Sequence, residues 1–130
     1  MTEGSCHCGA VRWQFDGVPK SATACNCSIC RRYGTLWAYD FEGEKISVSG
    51  GTHVYLWGRK WIEFHFCPQC GCIVYWRGAR PGKGGRRRIG FNLRLAEQPD
   101  AVKALPLVHH DTETMDDLPL DGMHVAEVWS

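Results

Sequence analysis

Eight cysteines fall in three tight groups: Cys6 and Cys8 around His7; Cys25, Cys27 and Cys30; and Cys67, Cys70 and Cys72. Thiolates two or three residues apart can wrap one soft cation but are poorly placed to bridge one another. Zinc takes four such ligands at about 2.3 Å in a tetrahedron. Cys67-Pro68-Gln69-Cys70-Gly71 has the form of a zinc knuckle: the turn brings the second sulfur round, and glycine permits the tight backbone that follows. It needs a second pair of ligands. Cys6 and Cys8, read as alternate residues of a strand, present two sulfurs to one face. The expectation is a closed, structural zinc on Cys6, Cys8, Cys67 and Cys70. The competing readings are that Cys6 or Cys8 is a small buried hydrophobe, or that the thiols form disulfides, which an even cysteine count allows only in a secreted context.

Cys25, Cys27 and Cys30 then stand without a fourth cysteine beside them. Three protein ligands and an open position distinguish a catalytic zinc from a structural one. The closed alternative draws its fourth ligand from Cys72, a histidine or a carboxylate. Three thiolates on a divalent ion leave a net negative charge, so the metal activates water poorly. It suits a fourth sulfur better, because zinc deprotonates a coordinated thiol. That thiolate is a nucleophile at neutral pH, and attack on a small aldehyde is the reaction this favours. Two zinc ions per chain are therefore expected, one structural and one catalytic. His7, between two ligands, points away from the metal. His53 and His65 fall in strand patterns as packed or surface side chains, and the spacing of His109-His110 leaves their reach to the site open.

These groups need a scaffold, and the pattern around them is that of strands. Val11, Trp13 and Phe15 alternate with polar neighbours, a period of two. Further strands are expected over Leu36 to Phe41, Lys45 to Ser49, His53 to Trp57, Trp61 to Phe66, Ile73 to Trp76 and Ile89 to Leu95. Seven or more short strands at this spacing predict an all-β domain. Helical signals are confined to Cys27–Tyr33 and Pro99–Leu105. Gly78 to Arg88, rich in glycine and positive charge, reads as a flexible loop.

Bulk properties set the limits. The chain has 130 residues, 44% hydrophobic and 22% charged, which suits one domain, residues 1–130, with a modest core that metal can reinforce. Residues 3–96 hold the motifs. Residues 1 to 96 carry 14 of the 15 Lys and Arg and 6 of the 14 acids, a balance of +8, whereas residues 97–130 sum to −7. The acids of that tail are scattered among apolar residues, so the tail is expected to pack on the basic body. Met1-Thr2-Glu3-Gly4-Ser5 has neither a basic start nor an apolar run, and nothing later reaches membrane-spanning length. The expected setting is a reducing cytoplasm, with no membrane partner.

Three segments together resemble a known family. Gly4-Ser5-Cys6-His7-Cys8-Gly9-Ala10-Val11, Cys25-Asn26-Cys27-Ser28-Ile29-Cys30-Arg31-Arg32 and Phe66-Cys67-Pro68-Gln69-Cys70-Gly71 match, in order, the motifs of the glutathione-dependent formaldehyde-activating enzymes. That family shares its domain with centromere protein V. The resemblance implies a β-tent of stacked antiparallel sheets stabilised by zinc, with the structural ion on Cys6, Cys8, Cys67 and Cys70. It implies a catalytic ion on Cys25, Cys27 and Cys30, where a glutathione sulfur can bind. The implied activity is that of a carbon–sulfur lyase joining formaldehyde to glutathione as S-hydroxymethylglutathione.

Two functions of different kinds follow. In the first, an enzyme binds glutathione or a similar small thiol and forms or cleaves its adduct with a small aldehyde. Arg31 and Arg32, next to the triplet, are candidates for holding the thiol's carboxylates. In the second, a zinc-stabilised binding module uses Arg77, Arg80, Lys83 and Arg86-Arg87-Arg88 to meet phosphates or a protein partner. The near-neutral net charge of +1 and the lack of interleaved aromatics in that loop weigh against nucleic acid. A redox switch in which the triplet oxidises and ejects its metal is compatible with either.

Overall fold

Short β-forming segments separated by glycine turns build two sheets in the computed structural model, which describes residues 1–129. The smaller sheet holds β1 (Thr2–Ser5), β2 (Arg12–Phe15) and β5 (Ile46–Ser49), in that order and antiparallel. The larger sheet has eight strands. From one edge they run β11 (Asp116–His124), β10 (Pro106–Asp111), β3 (Ala22–Cys25), β4 (Trp37–Phe41), β9 (Arg88–Asn92), β8 (Ile73–Gly78), β7 (Ile62–Phe66) and β6 (His53–Tyr55). All its neighbours are antiparallel except β10 and β3. Two helices of one turn each, α1 (Cys30–Tyr33) and α2 (Asp100–Lys103), fall within the two segments with helical signals. The chain is thus mainly β, and no helix among the described residues is long and apolar enough to cross a membrane.

Alternation in β2 turns Trp13 and Phe15 inward, where they meet Phe91 of β9 at ring-centroid distances of 4.9 and 5.2 Å. Burial of each such side chain contributes about 1.5–3 kcal/mol. The Trp13 indole N–H donates to the Asn92 carbonyl at 3.2 Å, locking the small sheet onto the large one. Gly4 sits opposite Trp13, and any Cβ there would overlap the indole. A second, smaller cluster lies apart from this core: Ile29, Cys30, Trp37, Phe64, Ile73 and Trp76.

The late strand stops earlier than its alternation suggests. Buried Asn92 accepts hydrogen bonds at Oδ1 from the amides of Arg94 (3.2 Å) and Leu36 (3.4 Å) and donates from Nδ2 to the Ile73 carbonyl (3.0 Å), so Leu93–Leu95 turns as a 3₁₀ segment. The Gly78 to Arg88 stretch is pinned rather than loose. Arg86 makes two 2.9 Å contacts to Glu44 and lies 3.6 Å over the Phe41 ring, Arg77 pairs with Glu42 and Glu63, and Arg87 approaches Glu42. Nearby acids therefore already pair with three of the six cations expected to meet phosphates, Arg77, Arg86 and Arg87. Four strands, β1, β3, β10 and β11, carry no alternation of large apolar residues, and their pattern gave no strand signal.

Candidate metal centres and the adjoining cleft

The first group of cysteines forms where two turns meet. After β1 the chain reverses: the Cys6 amide donates to the Val11 carbonyl (2.9 Å) and the Gly9 amide to the Cys6 carbonyl (3.0 Å). Gly9, at φ 83°, takes the left-handed conformation that this reversal needs. Cys6 and Cys8 therefore converge through a turn and not, as alternation suggested, along a strand. The turn between β7 and β8 closes with the Gly71 amide on the Cys67 carbonyl (2.9 Å) and the Cys67 amide on the Cys72 carbonyl (3.0 Å). Together the two turns bring the sulfurs of Cys6, Cys8, Cys67 and Cys70 within 4.8 Å of one another.

The spacing suits a metal. Cys6 and Cys8 sulfurs are 3.7 Å apart and Cys8 and Cys67 sulfurs 3.6 Å, close to the roughly 3.8 Å edge of a tetrahedron with 2.3 Å metal–sulfur bonds. Disulfide sulfurs would be about 2.05 Å apart, and all eight cysteines are free. Four thiols this close cannot all ionise without a cation between them. Backbone amides of Cys72 and Cys8 draw the Cys70 thiol down to about 5. Cys8 is pushed up to about 11: the Ala10 backbone pulls it down, but Cys67, desolvation, Cys6 and Cys70 outweigh that pull. Cys72 lies beside this group without joining it, and burial pushes its thiol up.

The second group gathers around α1. Cys25 ends β3, Cys27 sits in the following turn and Cys30 is the first residue of α1; their sulfurs also lie within 4.8 Å of one another. The Cys30 amide donates to the Cys27 sulfur and the Trp37 indole N–H to the Cys30 sulfur, each at 3.3 Å. The Cys30 thiol, followed by the Cys27 backbone, draws Cys25 down to about 5, while Cys25 and then burial push Cys30 up. Among the described residues no histidine, carboxylate or further cysteine joins this triplet. The donor set is soft and three-membered.

The open side of the triplet faces a cleft of about 630 Å³. Aromatic rings dominate its wall: Trp37, Tyr39, Trp57, Trp61, Phe64 and Trp76. Arg59, Lys60 and Arg88 bring positive charge. The Arg88 guanidinium lies 5.3 Å over Tyr39 and 5.6 Å over Trp76, and that of Arg59 lies 5.1 Å over Trp61. His110 also borders the cleft. It pairs with Cys25 across the parallel strands, and its Nδ1 lies 2.7 Å from Asp117 Oδ1. Asn26, inside the triplet motif, ties the tail in place: its amide donates to the His110 carbonyl (3.2 Å), and its Oδ1 accepts from the Thr112 amide (2.9 Å).

Arg31 and Arg32 do not line this cleft. Helix α1 turns Cys30 inward and leaves both arginines exposed, with Arg32 donating to the Ser28 carbonyl at 2.7 Å. The charges that do reach the cleft, Arg59, Lys60 and Arg88, were not singled out from sequence for this role. Arg88 reads as the end of a basic loop, although the alternation of Arg88, Gly90 and Asn92 against Ile89 and Phe91 carried the signal. His7 and His53 are exposed. His65 is buried between Thr52 and Glu63, and stacks on Tyr75 at 4.4 Å; burial holds it below the usual imidazole range.

Comparison with known proteins agrees with this geometry. Residues 1–102 match the family model described as glutathione-dependent formaldehyde-activating enzyme. A curated relative from Halomonas elongata, named provisionally for that same activity, is 33% identical over a stretch covering 58% of this chain and 55% of the relative's own length. The chain thus matches about half of that protein. A crystal structure of a Rhodobacter sphaeroides protein superposes with a TM-score of 0.61 at 26% identity, covering 81% of this chain and 98% of the other.

Proposed function

From a chain that belongs to the glutathione-dependent formaldehyde-activating enzyme family, we propose a zinc-dependent carbon–sulfur lyase that forms or cleaves the adduct of glutathione, or a similar small thiol, with an aldehyde. The observation that carries this reading is the three-sulfur group of Cys25, Cys27 and Cys30, joined among the described residues by no histidine, carboxylate or further cysteine and open to a large cleft. In the same reading Cys6, Cys8, Cys67 and Cys70 hold a second, structural zinc that stabilises a β-tent-like arrangement. Residues 97–130 belong to the same domain, and the protein works in a reducing cytoplasm that keeps its thiols free.

Zinc at the triplet, when bound, supplies a cation that turns a fourth-position thiol into a thiolate at neutral pH. The chain's residues do the rest. The Trp37 N–H fixes the Cys30 sulfur, and aromatic rings line the cleft beside it. Arg88, Arg59 and Lys60 attract the carboxylates of an anionic thiol. As the thiol sulfur bonds to the carbonyl carbon, the C=O electron pair moves to oxygen. His110, its Nδ1 held by Asp117, takes the thiol proton on Nε2 and passes it to that oxygen. Cleavage runs the same path backwards, with His110 taking the hydroxyl proton.

Calorimetric titration of glutathione into the zinc-loaded protein tests the reading. One molecule should bind per chain, and binding should vanish in Cys27→Ser. Absence of glutathione binding at millimolar concentration to protein carrying two zinc ions would overturn it.

A further inference from the structure

Formaldehyde offers a single carbon, and glutathione is polar along its whole length. Neither accounts for the aromatic lining of the cleft beside the three cysteines. Six aromatic side chains border the cleft, and Trp57 and Trp61, on the turn between β6 and β7, are 42% and 68% exposed. Apolar rings left bare in a concave site mark a surface that a ligand covers. The volume of about 630 Å³ lies in the range that takes a drug-sized molecule. A cationic ligand does not fit: Arg88, over Tyr39 and Trp76, and Arg59, over Trp61, already bring positive charge to the cleft and repel a second cation. The ligand these walls describe is anionic at one end and apolar at the other, with its sulfur between.

We propose that the cleft takes thiol–aldehyde adducts whose carbonyl-derived carbon carries an aromatic or bulky apolar group, lying against the exposed rings of Trp57 and Trp61. This rests on the reading of Cys25, Cys27 and Cys30 as a thiol site. S-benzylglutathione and S-methylglutathione are stable stand-ins for a bulky and a one-carbon adduct. Their binding to the zinc-loaded protein is measured by calorimetry and by quenching of tryptophan fluorescence. The benzyl compound should bind at least tenfold more tightly and quench more strongly. Combining Trp57→Ala with Trp61→Ala should bring the two affinities together. Equal affinities in the native protein, or tighter binding of the methyl compound, would overturn the inference while leaving a thiol enzyme for one-carbon electrophiles. Failure of both compounds and of free glutathione to bind would overturn the inference and the thiol site together.

Discussion

The two cysteine groups use the same donor atom in different surroundings. Cys6 and Cys67 are almost fully buried and belong to the main core with Trp13, Phe91 and Val74, where two turns bring a fourth sulfur to close the set. Cys25, Cys27 and Cys30 belong to the smaller cluster around Trp37 and Trp76, which opens into the cleft. Ligand type alone does not separate a structural metal from a working one. The count of side chains that converge does, together with what lies on the remaining side.

The largest effect should come from breaking the closed group. In the proposed reading Cys67→Ser removes a zinc ligand, and sites of that type contribute about 10–16 kcal/mol in small peptides, comparable to the whole stability of a domain. It should yield insoluble or unfolded protein by circular dichroism. A well-folded variant with its full zinc content would show that this group does not hold the structure.

Cys27→Ser should instead leave the fold intact and lower zinc towards one per chain by elemental analysis, with glutathione binding lost. Loss of structure equal to that of Cys67→Ser would make both groups structural.

Gly90→Ala sharpens the contrast from the cleft side. A Cβ there would overlap the Trp76 indole, and forcing bulk into a packed site costs about 1–3 kcal/mol. The melting temperature should fall by several degrees and glutathione affinity with it, while the four-cysteine zinc stays in place. Unchanged stability and affinity would mean that Trp76 is not fixed against this strand.

The smallest expected effect separates the arginines. Arg88→Ala should weaken glutathione about tenfold, or about 1.4 kcal/mol, whereas Arg31→Ala with Arg32→Ala should change it less than twofold once salt screens distant charge. The reverse order would move the thiol's carboxylates from the cleft to the exposed face of α1.

Which parts were legible in the sequence follows from how local their causes are. A Cys-x-x-Cys turn and a CxCxxC segment draw their sulfurs together within a few residues, so spacing alone announced them. Trp13 and Phe15 announced their strand because one face is buried. Strand β3 was silent because Ala22 and Thr23, buried in mid-sheet, and half-buried Ala24 offer no large apolar side chain. Strand β11 was silent for the opposite reason: all nine of its residues are exposed, and pairing with β10 alone makes it a strand. The rings and charges of the cleft come from β4, the turn between β6 and β7, β7, β8, β9 and the tail, and only the sheet order brings them to Cys25.

The central claim is that one group closes on its metal and the other leaves a place for a thiol. Cadmium NMR of the fully cadmium-loaded protein, titrated with glutathione, tests it most directly. The account predicts two resonances, one unmoved and one shifting to saturation at one glutathione per chain. A single resonance, or two that both stay fixed as glutathione rises to millimolar concentration, would contradict it.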